Sequence, residues 1–185
     1  MKALEEQALC PAQRLYLARR YGIQEWIPIA IRALLLSSLV EYTAEDHRNL
    51  GFDIFNRLII GMETISKVRR QLSAVPLYPS NLDEAPHCSD PSICKSIWAD
   101  HWFKDIVIRL IIPPVPYFPL SKTILALRSI DHKGMHINCK DYVLEWMEKL
   151  CPGLEKEEKA IRQVISDIEN DNYVNGVTTQ HPLDA

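Results

Sequence analysis

The stretch RLYLARRYGIQEWIPIAIRALLL, residues 14–36, constrains the fold more than any other. Apolar residues recur at helical intervals up to Tyr21, Gly22 interrupts them, and a second apolar run opens through Trp26 and Pro28. Glycine is the usual stop after a helix, and proline is tolerated near a helix's first turn. Two helices are therefore expected, over 11–21 and 25–37, with Ile27, Ile31, Leu34 and Leu35 on one face of the second. Nothing in the stretch is chemically reactive, so it points to a scaffold.

The same pattern continues along the chain. Thr43 and Asp46 form a capping pattern, with an acid in place of the usual Glu or Gln, before a short helix to Leu50. Gly51 breaks it, and a longer helix follows over 52–72, with Phe55, Leu58, Ile59, Met62 and Ile65 inward. Lys67, Arg69 and Arg70 lie near its C-terminal end, where cations suit the helix dipole, and are expected to be solvated. Ser89, Asp90 and Pro91 open the next helix, whose Trp98, Trp102, Ile106 and Leu110 make an apolar stripe. Three more helices are expected: 121–130; 138–150, with Tyr142, Val143, Trp146 and Leu150 inward; and 155–169, on Ile161, Val164, Ile165 and Ile168. The acids Glu155, Glu157 and Glu158 read as a solvated first turn.

Most of the 12 prolines fall in 76–91 and 113–119, which become two Pro-rich connecting loops. Only 6 glycines are present, against both a turn-rich β fold and phosphate-cradling loops. The expected architecture is all-α, an irregular bundle of about six to eight helices. It divides into a hairpin over 1–40, a helical domain over 41–170 and a disordered tail over 171–185.

Several functions are disfavoured. A net charge of −3 offers no footprint for a nucleic acid. The most apolar run, 106–118, holds Arg109 and three prolines, so no membrane span is expected. The N-terminus lacks the apolar centre of a secretory signal. Five cysteines without such a signal imply an intracellular chain, cytoplasmic or nuclear, with reduced thiols. No P-loop, dinucleotide fingerprint or HExxH pattern suggests a small-molecule substrate.

One constellation carries chemistry. Cys88-x5-Cys94 and His136-x2-Cys139 each sit where a loop enters a helix. Zinc takes four soft or imidazole ligands in a tetrahedron, and two such pairs supply them. A Cys3His set is a closed structural site with no open catalytic position. His87, His101 and His132 are rival imidazoles, and buried cysteine also serves as a small apolar residue. Cys10 and Cys151 have no partner pattern and are expected to be structural. His101, His132 and Asp131 could flank a cysteine nucleophile, but no nucleophile elbow or oxyanion-type glycine loop accompanies them, so no enzyme is expected.

The hairpin resembles the closing helices of BTB/POZ domains, in which an L-x-L-A-x-x-Y-x-[IV] helix precedes a final one. Leu15, Leu17, Ala18, Tyr21 and Ile23 match, and Glu25 to Pro28 narrows the likeness to fungal, mushroom-type BTB proteins. Those proteins are similar in carrying a Cys- and His-containing loop before a Trp-rich helix, here Cys88 to Cys94 with Trp98 and Trp102. Met135, His136 and Cys139 resemble their later Met-Cys-x-x-Cys-like helix start. The likeness spans residues 12–170 and implies a non-catalytic module that binds other proteins, whether a second copy or a BTB-type partner. Most of a BTB core would precede the hairpin, and the segment before Pro11 is too short for it. The expectation is either a truncated product or a post-BTB helical region existing alone, which puts core-mediated dimerisation and a cullin-adaptor role in doubt. Leu15, Tyr16, Trp26 and Ile27 become the expected partner-binding face, with packing on the 52–72 helix as the alternative. A zinc-stabilised regulatory domain is the second reading. A small enzyme, which would need a buried polar pocket, is the third.

Overall fold

Local capping chemistry delimits most of the helices. The computed structural model describes residues 9–82, 88, 90–111, 119–130, 132–150 and 152–176, with the backbone alone at 109, 110, 121, 150, 152–154 and 171–176. Seven α-helices follow one another among the described residues: α1 (Pro11–Tyr21), α2 (Trp26–Leu36), α3 (Ala44–Ser73), α4 (Pro91–His101), α5 (Thr123–Ser129), α6 (Ile137–Leu150) and α7 (Pro152–Gly176). The fold is all-α, with no strand among the described residues. The chain divides into two compact units, 1–63 with 160–185, and 64–159. α3 and α7 each contribute residues to both units.

In the first unit, Cys10 caps α1, its sulfur accepting from the Gln13 N–H at 3.4 Å. Gly22 ends the helix at φ 69°, a left-handed conformation that glycine adopts without steric penalty. The expected apolar face of α2 is buried: Ile27, Ile31 and Leu35 are 0% exposed and Leu34 is 1%. Thr43 and Asp46 form a reciprocal cap on α3. The Asp46 N–H donates to Thr43 Oγ1 at 3.1 Å, and the Thr43 N–H to Asp46 Oδ2 at 2.8 Å. That backbone hydrogen bond is the main reason the Asp46 carboxyl lies below its ordinary value. Gly51, at φ 72° and ψ 164°, kinks α3 where the sequence placed the break. Leu50, Ile54, Leu58 and Met62 are buried in this unit, as are Ile161, Val164 and Ile168 of α7. At Gly61 the helices come very close: a Cβ there would lie 2.7 Å from Val164 Cγ2 and 2.8 Å from Leu35 Cδ2.

The second unit is built around Trp98, Trp102, Ile106, Leu127, Val143, Leu144 and Met147. The Trp98 indole donates to the Leu77 carbonyl at 2.8 Å, anchoring the chain after α3. Beyond His101, α4 widens into a π-helical stretch, Trp102–Ile111. Of the expected stripe, Trp98, Trp102 and Ile106 are fully buried, and Ile111 is buried too; the side chain of Leu110 lies outside the described residues.

Two charged residues expected in solvent are buried instead. Arg69 and Glu157 are each 3% exposed at the side chain and form an ion pair at 2.6 Å. Arg69 also donates to the Ile111 carbonyl at 2.9 Å, and Glu157 accepts from the Leu120 N–H at 2.9 Å. Burial holds the Glu157 carboxyl above its ordinary value, while Arg69 and the Leu120 N–H pull it down. Each residue already suits the dipole of its own helix, a cation near a C-terminal end and an acid near an N-terminal end, so nothing local in the sequence signals that the two meet.

α7 begins at Pro152, ahead of the expected 155, and continues through 171–176, where a disordered tail was expected. Residues 177–185, Cys151, Asp131, His87 and parts of the two Pro-rich stretches (83–87, 89 and 112–118) lie outside the described residues.

Candidate metal centre

Asp90 fixes the entry to α4. Its carboxylate accepts from the Ile93 N–H at 3.1 Å, and Pro91 occupies the first turn, where its missing N–H is harmless. This places Cys88 just before the helix and Cys94 in its first turn. Cys139 occupies the first turn of α6. Three thiols thus meet where two helices begin, and helix N-termini favour thiolate over thiol.

The sulfurs of Cys88, Cys94 and Cys139 all lie within 4.8 Å of one another. Cys88 Sγ and Cys94 Sγ are 3.6 Å apart. Cys94 and Cys139 are buried, Cys88 only partly. The Cys88 thiol lies below its ordinary value, chiefly because the Cys139 side chain donates to it; Asp90 N–H and Cys94 contribute to the same effect. Burial pushes the Cys139 thiol well up, and its hydrogen bonds to the other two sulfurs add to the shift.

The donor set suits a thiophilic metal. A tetrahedral zinc with Zn–S bonds of about 2.3 Å sets its sulfurs about 3.8 Å apart. The Cys88–Cys94 pair, at 3.6 Å, is already near that spacing, and no separation in the cluster needs to contract by more than about 1 Å to reach it. These three cysteines can hold a metal ion.

His136, the fourth residue expected from the sequence, meets the cluster through its backbone. Its N–H donates to Cys94 Sγ at 3.4 Å. The exposed imidazole accepts the Asn138 N–H on Nδ1 at 3.3 Å, capping α6. The rival imidazoles His101 and His132 pack edge to face, 5.1 Å between centroids, and His132 lies against Trp98 at 5.2 Å. His101 Nδ1 pairs with Asp105 at 3.0 Å. Cys10 donates to Asp46 at 3.4 Å, a structural role as expected.

The expected partner-binding residues separate. Leu15 and Ile27 are fully buried. Tyr16 is 37% exposed, and Trp26 is half-buried beneath the Arg14 guanidinium. The larger exposed apolar side chains of this unit include Tyr21, Ile29, Val40, Phe52 and Ile60. Among the described residues no helix is long and apolar enough to cross a membrane.

No protein-family model, no curated protein and no solved structure matches this chain.

Proposed function

We propose that the chain is a non-catalytic helical interaction module whose second unit is fastened by one structural zinc ion. The observation that carries this reading is the convergence of Cys88, Cys94 and Cys139 within 4.8 Å. His136 would supply the fourth ligand, exchanging its cap on Asn138 for the metal; its backbone already touches Cys94. Bound there, zinc would supply only cross-linking, since four protein ligands leave no open position for substrate. A scaffold role is further supported by the exposed apolar side chains of the first unit, Phe52 at 76% and Ile60 at 68% among them. The hairpin motif at Leu15, Leu17, Ala18, Tyr21 and Ile23 supports placing the module among BTB/POZ-like proteins, as their helical C-terminal region. Its partner is then another protein.

Elemental mass spectrometry of the purified, untagged protein tests the metal. Near-stoichiometric zinc is expected, and its loss in a Cys94→Ser, Cys139→Ser double variant. With free zinc a thousandfold above Kd, the ion stabilises the fold by about 4 kcal/mol, which the variant should forfeit in urea unfolding. Affinity should also fall with decreasing pH, because the thiols must lose their protons to bind. A well-folded parent devoid of metal between pH 7 and 8 would overturn the zinc reading.

A further inference from the structure

We propose that Cys88 and Cys94 form a peroxide-sensitive pair, whose oxidation to a disulfide releases the metal and frees the start of α6. The inference rests on the zinc reading only for the release step, because the disulfide needs the thiols alone.

Three observations carry it. The Cys88 and Cys94 sulfurs are already 3.6 Å apart, so an approach of about 1.6 Å reaches disulfide length. Cys88 is the partly exposed member of the cluster, reachable by a small oxidant, whereas Cys94 and Cys139 are 3% and 0% exposed. Cys88 also precedes the cap of α4, so its side chain can turn without breaking a helical hydrogen bond.

The chemistry balances with hydrogen peroxide as the two-electron oxidant. The Cys88 thiolate attacks one peroxide oxygen, the O–O bond breaks, and the departing hydroxide takes a proton to become water. Cys88 is then a sulfenic acid. The Cys94 thiolate attacks the Cys88 sulfur, the S–O bond breaks, and a second hydroxide leaves as water after protonation. Two thiolates have lost two electrons, and one peroxide has become two waters.

The consequence is directional. Cys88 and Cys94 both belong to the entry of α4, whereas Cys139 lies on α6. A metal joins the two helix starts, but the disulfide joins only one to itself. Oxidation therefore replaces a tie between two helices with a tie inside one, and leaves Cys139 as a single thiol that cannot retain zinc.

The test exposes the full chain, as purified, to stoichiometric hydrogen peroxide. Zinc release is read with a chromophoric chelator, the linkage by peptide mass spectrometry after alkylation, and α6 by hydrogen exchange at Ile137 to Lys140. A Cys88–Cys94 disulfide, parallel zinc release and a several-fold rise in exchange at α6 are expected, all reversed by dithiothreitol and fresh zinc. Cys139→Ser should still form the disulfide without holding zinc. Oxidation of Cys88 to sulfinic acid with Cys94 left as thiol would overturn the pair, and so would a Cys88–Cys139 linkage. Zinc retained after the disulfide has formed would overturn the release step. A parent without zinc that still forms the disulfide would remove the metal reading and leave the redox pair standing.

Discussion

At Gly61, in the first unit, α2, α3 and α7 approach until one added methyl group would sit 2.7 Å from Val164 and 2.8 Å from Leu35. Further along α3, in the second unit, Arg69 is instead surrounded by polar atoms: the Glu157 carboxylate and the Ile111 carbonyl. The second unit adds Lys140, 9% exposed, whose ammonium donates to the carbonyls of Arg128 and Ile130 and so closes the end of α5. The thiol cluster belongs to it as well. Steric fit is non-directional and tolerates repacking, whereas a buried ion or thiolate fails if one partner is missing. The first unit should therefore respond gradually to substitution and the second abruptly.

The largest expected effect is in the second unit. Arg69→Met leaves Glu157 buried without its cation and should lower stability by about 3–5 kcal/mol in urea unfolding. Arg69→Met with Glu157→Leu should recover most of that loss, since well-packed apolar replacements of buried pairs are often near neutral. If the single variant loses less than the double, the polar account of this unit is wrong. The pH dependence has a definite sign. A carboxyl whose folded value is raised binds its proton more tightly when folded, so its contribution is complete below the ordinary value of 4.5 and is lost as pH rises through the raised one. Removing Arg69 should steepen that decline, and unfolding at pH 4 and pH 7 measures it.

A smaller effect is expected in the first unit. Gly61→Val should cost about 1–3 kcal/mol by overpacking, and Leu35→Ala in the same background should recover part of it by making room. Additive losses would show that the close approach does not govern this packing. The smallest is Thr43→Ala, which removes the α3 cap and should cost about 1 kcal/mol, with Thr43→Ser close to the parent in thermal unfolding.

Legibility followed the range of the interactions. Pro11 and Gly22, Thr43 with Asp46, and Gly51 could be read because each acts on neighbours within one turn. The three thiols were legible because cysteine has few roles and each lies at a helix entry. Arg69 and Glu157 were not, because each had a sufficient local explanation and 88 residues separate them. Spacing put the His136 imidazole beside the cluster, and what it could not show is that the same helix start also offers the ring a cap, the Asn138 N–H. Leu15 and Ile27 look identical in sequence whether a helix face meets solvent or a neighbour.

The Arg69–Glu157 pair also bears on the order of events in folding. It joins segments that the chain brings together only after long loops close: Arg69 to Ile111 across 42 positions, Leu120 to Glu157 across 37. Loop closure is unfavourable until other contacts reward it. The pair should therefore form after the transition state, when the surrounding helices are already in place. An interaction made that late acts on the unfolding rate and leaves the folding rate nearly untouched. What Arg69 and Glu157 govern is then the lifetime of the folded unit, a kinetic quantity, rather than the speed at which it is reached.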